Sequence, residues 1–263
     1  MKTDLTDITF LLLIRLDSIQ RLENILLVTE RLTYYFDTNI HVREVDNYDN
    51  GILKSLLSRK IQYVFVEDKD PVLYKTRHFN RMLQSVTTPY LAIWDADIIP
   101  DKKAILECVE QLRSNKANVV YPYNGICYNI PEPIKSLYFK KKDIRVLYRH
   151  ISKMEKLYTH ALVGGAMIMD TEKYRQAGGE NEKHYGWGND DFDRYYRFIG
   201  LGYTVYRFNT QLFHLCHIRG NNSHFSSLVS SQISSAEKKQ NEDSSKAEIE
   251  KQYKIPEAEK VIE

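Results

Sequence analysis

In Tyr90-Leu-Ala-Ile-Trp-Asp-Ala-Asp-Ile-Ile-Pro100 an apolar run ends abruptly in two carboxylates, Asp95 and Asp97, and Pro100-Asp101 opens a predicted helix. Residues two apart on a strand share a face. Carboxylates at i and i+2, just past the buried part of a strand, are therefore expected to converge on one cation. Hard oxygen ligands suit Mg²⁺ or Mn²⁺, ions that keep open positions for phosphates. The tripeptide alone is common, and a solvated strand end is the plain alternative.

Working outward, the flanking sequence alternates strands with helices. Ile8-Thr-Phe-Leu-Leu-Leu-Ile14 has the unbroken apolar character of a buried parallel strand, and Ser18 is placed to cap a helix through about Leu32. Ile40–Val45 and Ile61–Val66 predict two further strands, with a turn at Asn50-Gly51 and a short helix between them. A helix over Tyr74–Val86 is broken by Thr87-Thr88-Pro89, and Lys102–Arg113 is helical after the opening stretch. This pattern predicts an α/β fold with a mostly parallel sheet whose strand carboxyl ends hold the ligands. Arg15, Glu67, Asp68, Asp95 and Asp97 all fall at such ends.

The second half is less regular. Val119–Tyr123 reads as a strand, and a helix from Thr171 ends at Gly178-Gly179. Ile144, Leu147, Tyr148, Ile151 and Met154 recur at helical spacing within a basic, aromatic stretch, 131–158. They predict one helix with a solvated basic face. The alternative is a lid or a contact with an anionic acceptor or membrane surface through 135–156. From Ser226 the chain turns polar, as for a surface helix or mobile tail outside the core.

With 263 residues, 43% of them hydrophobic and 27% charged, the chain can bury a substantial core. A net charge of +2 argues against nucleic acid as a partner. Cys108, Cys127 and Cys216 lack metal or redox spacing and fit buried thiols in a reducing compartment. The apolar run at Ile8–Ile14 is too short to span a bilayer and is followed by no cleavage pattern, so a cytoplasmic protein is expected.

Three further stretches carry chemistry. In Gly186-Trp-Gly-Asn-Asp-Asp-Phe-Asp193, two glycines let the backbone approach a ligand while the Trp187 face stays available to a sugar ring. Asp190 and Asp191 open a helix there; capping explains acidic residues at that place, but not so many polar groups beside a tryptophan. His214-Leu-Cys-His217 offers two imidazoles that share a face if the segment turns, and they would complete a site begun by a carboxylate. On Lys75-Thr-Arg-His-Phe-Asn-Arg81, Arg77 and Arg81 share a helix face that is either solvated or holds a diphosphate.

In this order the segments resemble the catalytic domain of the β-1,4-galactosyltransferase family and its bacterial relatives among capsule and chondroitin-type glycosyltransferases. The resemblance runs from Ile8 to Asn222 and is specific in four places. Ile14-Arg15 resembles the family's Phe-Arg, His78-Phe-Asn-Arg81 its Phe-Asn-Arg, and Trp94–Pro100 its Asp-Val-Asp-Leu-Ile-Pro. Gly164-Gly165, Gly179 and Gly186–Asp191 follow its Gly-Gly, Gly-Phe and Gly-Trp-Gly-Gly-Glu-Asp run.

The resemblance implies a GT-A fold, with a Rossmann-like central sheet and helices on both faces. It implies a catalytic domain over 1–225, with a nucleotide-binding half at 1–113 and an acceptor and metal half at 114–225, followed by a polar 226–263. It implies a metal-dependent enzyme that transfers a hexose or N-acetylhexosamine, galactose-type favoured, from a UDP-sugar to a glycan or glycolipid with inversion, as in polysaccharide biosynthesis. Asp97, His214 and His217 match the metal ligands, for Mn²⁺ with Mg²⁺ as the alternative, and Asp191 matches the catalytic base. Ile14, Arg15, Phe79, Arg81, Asp95, Gly165, Gly186, Trp187, Gly188 and Asp190 match substrate contacts. Asp17 stands where the family has a second basic residue, Asn189 replaces a glycine, and Asp190 is shorter than the family's glutamate. A retaining GalNAc-transferase-like enzyme and a non-catalytic sugar-nucleotide or glycan-binding protein are the rivals. A nucleotidyltransferase would need a glycine-rich loop where Arg15-Leu-Asp-Ser18 stands.

Overall fold

A computed structural model describes residues 2–253. Strands β1 (Thr3–Ile14), β2 (Phe36–Asp46), β3 (Gln62–Glu67) and β4 (Tyr90–Trp94) are joined by helices α1 (Ile19–Tyr35), α2 (Ile52–Leu56) and α3 (Lys75–Leu83). Helix α4 (Lys102–Arg113) leads to β5 (Val119–Tyr121), and β6 (Cys127–Ile130) follows. Then come α5 (Glu132–Lys141), α6 (Arg145–Arg149), β7 (Glu155–Lys156), β8 (Ala166–Asp170) and α7 (Thr171–Gln176). The chain continues through α8 (Asp190–Gly200), β9 (Val205–Arg207), β10 (Leu212–Leu215), α9 (Leu228–Asp243) and α10 (Lys246–Gln252).

The main sheet has the order β3-β2-β1-β4-β8-β5-β9, with β8 antiparallel to both of its neighbours and the other pairs parallel. A smaller sheet, β10-β6-β7, lies beside it. The apolar run of β1 is unbroken because the strand is central: Ile8, Phe10, Leu11 and Leu12 are all buried. Ser18 caps α1, its Oγ accepting from the Arg21 amide. Asp101 caps α4 by accepting from Lys103 and Ala104.

Two expectations change. The apolar spacing at 144–154 is not one helix. Lys142, in the left-handed region at φ 50°, ends α5; α6 stops at Arg149, and a single 3-10 turn precedes β7. Nor is the segment a uniformly solvated basic face. Lys135 is buried, with Glu23 and Glu132 beside its ammonium, and Lys142 pairs with Glu30.

The polar C-terminal stretch packs into the body as far as it is described. Helix α9 lies on α8 with Ser234, Glu237 and Asn241 buried, and Ile249 of α10 fills the space over Gly200. The reading of 254–263 as tail lies outside the described residues. Among the described residues no helix is long and apolar enough to cross a membrane.

Candidate active site

Strand β4 ends at Trp94, so Asp95 and Asp97 lie in a turn beyond it. The turn is held from three sides. The Asp95 amide donates to Gly165 O (2.9 Å), the Ile98 amide to Asp95 O (3.2 Å), and the buried Trp94 indole to Ile98 O (2.9 Å). Strand β10 runs antiparallel to the exit of the turn: the Ile99 amide donates to Phe213 O (3.0 Å) and the Leu215 amide to Asp97 O (2.8 Å). That pairing delivers the imidazoles. His214 Nε2 is 3.6 Å from Asp97 Oδ2, and His217, beyond the strand end, has Nε2 3.2 Å from the same oxygen.

Asp97, His214 and His217 each offer one ligand atom within 4.8 Å of the others. The far nitrogens are engaged: His214 Nδ1 lies 2.9 Å from Asn129 Oδ1 and His217 Nδ1 lies 2.8 Å from Ile218 O. Both partners can accept, so with a metal bound each ring would keep its proton on Nδ1 and offer Nε2 to the ion. Burial pushes the Asp97 carboxyl up, but the two imidazoles outweigh it and hold the group well below the usual carboxylate range. Asp95 stands outside this cluster. Residues in a turn do not alternate as on a strand, so the expected convergence of both carboxylates on one cation gives way to one carboxylate with two imidazoles.

Asp95 belongs instead to a second group. Lys75, the first residue of α3, places Nζ 3.1 Å from Asp190 Oδ2. The same ammonium acts on Asp95 and Asp191. Burial pushes Asp95 up to about 7 although Lys75 opposes it, and burial raises Asp190 likewise. Asp191 goes the other way: against burial, Arg194 and then Lys75 hold its carboxyl below the ordinary value. Buried Arg194 donates to Asp191 and, through Nη1, to both Glu180 oxygens at 2.7 and 2.8 Å. Asp191 also lies in the first turn of α8, where the helix dipole favours an anion. Gly164 leaves room for it; a Cβ there would overlap the Asp191 carboxylate. The result is one carboxylate held ionised between two with raised proton affinity, a division that suits acid–base work.

The loop before α8 forms the adjoining wall. Gly186 (φ +84°) sits against Val72, and Gly188 (φ +119°) against the Phe225 ring; a side chain at either would collide. The Trp187 and Phe225 rings meet edge to face at 5.5 Å. Behind the loop, Ser234 of α9 donates to Gly188 O (2.9 Å) and contacts His184 Nδ1 (2.7 Å), while His184 Nε2 lies 3.0 Å from Asp193.

These groups line one cavity of about 300 Å³. Asp95, Asp97, Asp190, Asp191, His214 and His217 face it, as do Arg15, Phe79, Gly165, Trp187 and Gly188. Arg15 is also a structural clamp: its guanidinium donates to the carbonyls of Val45, Asp70 and Pro71 at 2.9–3.1 Å. Ile14 is buried in the core, and Gly186 supports the loop from behind. Arg81 and Arg77 do not reach the cavity; both are exposed on α3. Because α3 starts at Lys75, Arg81 lies about 9 Å further along the helix axis, and Lys75 is the basic residue of this helix that reaches the cavity. Lys75 opens the Lys75–Arg81 stretch, but helical spacing alone points to Arg77 and Arg81 instead. Asn129, Phe225 and Ser234 had no local signal.

A family model described as the N-terminal domain of galactosyltransferase matches residues 145–221, the segment that carries Gly164-Gly165, Trp187, Asp191, His214 and His217. No curated protein matches the chain. Among solved structures, the catalytic domain of Drosophila β-1,4-galactosyltransferase 7 in complex with xylobiose superposes at a TM-score of 0.54 and 15% identity, over 89% of this chain and 79% of that one. A variant of the same enzyme with manganese, UDP-Gal and xylobiose gives 0.51 and 14%, over 86% and 79%. The mannosyltransferase PcManGT from Pyrobaculum calidifontis, in complex with GDP-Man and Mn²⁺, gives 0.52 and 17%, over 81% and 58%. The fold is therefore GT-A, as the motif order implied, and the galactosyltransferase resemblance extends to the family model over 145–221.

Proposed function

We propose that this chain is a metal-dependent, inverting glycosyltransferase that moves a hexose or N-acetylhexosamine, galactose-type favoured, from a UDP-sugar to a glycan or glycolipid. The observation that carries the reading is the meeting, in one cavity, of the Asp97–His214–His217 cluster with the ionised Asp191 carboxylate. Two imidazoles and a carboxylate suit Mn²⁺ better than the all-oxygen preference of Mg²⁺. A bound divalent ion would supply positive charge for the diphosphate leaving group.

The chain's own residues do the rest. Asp191 takes the proton of the acceptor hydroxyl as that oxygen attacks the anomeric carbon. Arg194 holds the carboxylate in place and ionised. Trp187, on its glycine-flanked loop, gives the sugar a ring face, and Asp190, paired with Lys75, and Asp95 accept hydrogen bonds from the sugar hydroxyls. The body to residue 225 carries these groups, and α9 braces the Gly188 loop from outside it. The relatives solved with UDP-Gal, GDP-Man and manganese support the donor class and the metal.

The test is Asp191→Asn. UDP and Mn²⁺ binding, followed by calorimetry, is expected to persist while transfer from UDP-sugars falls by at least about a thousandfold. Undiminished turnover removes Asp191 as base. Metal-dependent UDP binding with no turnover by the unaltered chain, across donors and acceptors, would favour a sugar-nucleotide-binding protein. An anomeric linkage retained in the product would assign the retaining class.

A further inference from the structure

A row of aromatic rings starts in the cavity and leads out of it. Tyr158 and His160 have ring centroids 5.5 Å apart, His160 and Phe192 5.6 Å, and Phe192 and Tyr196 6.4 Å in a stacked arrangement. Tyr158, His160 and Phe192 line the cavity; Tyr196 does not. Phe192 and Tyr196 are four residues apart on α8, so they share a face, and Phe192 directly follows Asp191. His160 is exposed and the other three rings are half-buried, Phe192 resting against the core, so every ring keeps part of its surface in solvent. Two cations sit over the row: Arg219 lies 5.9 Å from the Tyr158 centroid at its inner end, and Lys238 5.8 Å from that of Phe192 within it.

We infer that this row is an extended acceptor rail, which selects an oligosaccharide of more than one sugar over a single sugar. It deepens the glycosyltransferase reading and rests on it. Sugar rings present apolar C–H faces that stack on aromatic rings, while Tyr and His keep polar edges for the hydroxyls. A chain end brought to the Asp191 carboxylate has its following units over Phe192 and Tyr196. A monosaccharide fills the cavity and leaves the outer ring untouched. Nothing in the donor and metal groups requires four rings leading outward from the base.

The test uses the full chain with Mn²⁺ and UDP. Binding of chito-, xylo- and β-galacto-oligosaccharides, from mono- to tetrasaccharide, is measured by calorimetry, and transfer from UDP-galactose and UDP-N-acetylgalactosamine is measured in parallel. At least one series is expected to bind about fivefold more tightly per ring engaged. Tyr196→Ala is expected to abolish the gain from the longer members and leave the monosaccharide unchanged; Tyr196→Phe is expected to keep it. Equal binding of short and long members, no binding of any, or a length preference that survives Tyr196→Ala overturns the rail. Length-dependent binding without transfer leaves the rail standing and counts against the enzyme.

Discussion

Lys75→Met keeps much of the side-chain length and removes the ammonium that sits 3.1 Å from Asp190 Oδ2. At that distance and an effective dielectric near 20, the pair attraction is about 5 kcal/mol. The side chains are 22% and 6% exposed, so solvent screens the pair only in part. Removing one partner of such a pair costs about 3 kcal/mol where the survivor stays charged. The loss shrinks once Asp190 can take up a proton, and its carboxyl is already raised by burial. The urea midpoint of the variant is therefore expected to fall most at pH 8 and least at pH 5.

Activity gives the second readout. Lys75 helps hold the Asp191 carboxyl below its ordinary value, so removing the ammonium raises that value. The base must be ionised to work, and the acid limb of the kcat/KM profile should move to higher pH. An acid limb that stays in place or moves to lower pH, or a urea midpoint unchanged at pH 8, refutes the charge argument for this cluster.

Other outcomes follow from the same geometry. Asn129→Ala removes the acceptor at His214 Nδ1, and Mn²⁺ affinity by calorimetry should drop roughly 10–100-fold with the fold intact. Gly164→Ala forces the Asp191 carboxylate aside; transfer should collapse while Mn²⁺ and UDP binding stay near normal. Burial, and then Arg43, push His78 down to about 4, against the pull of Asp68. An imidazole depressed in the folded state is protonated first in the unfolded one, so stability should fall as pH drops from about 6.5 to about 4, by roughly 3 kcal/mol. Urea midpoints across that window should flatten in His78→Gln; an unchanged slope would show that His78 is not its source.

The sequence determined the parallel half of the sheet by itself. The central strands β1 and β4 are local runs whose burial on both faces demands apolar character, β2 alternates buried with exposed residues, and Ser18 and Asp101 mark helix starts through bonds spanning two or three residues. It also determined which residue types carry the chemistry, because Asp95, Asp97, Asp191, His214 and His217 stand in short, recognisable patterns. What it left to the tertiary structure was which of them meet. Periodicity treats Asp95 and Asp97 as equals; the turn pinned by Trp94 and Gly165 parts them, and only the pairing of β10 with Ile98 and Ile99 brings both imidazoles to Asp97. The starting residue of α3 decided that Lys75 and not Arg81 enters the cavity, and boundaries of that kind are set by packing, not by composition. Burial did the same for the polar C-terminal helices. Their serine, glutamate and asparagine side chains look solvated in sequence, yet Ser234, Glu237 and Asn241 are buried and hydrogen-bonded to His184, Asn181 and Asp193, partners that no local pattern could supply.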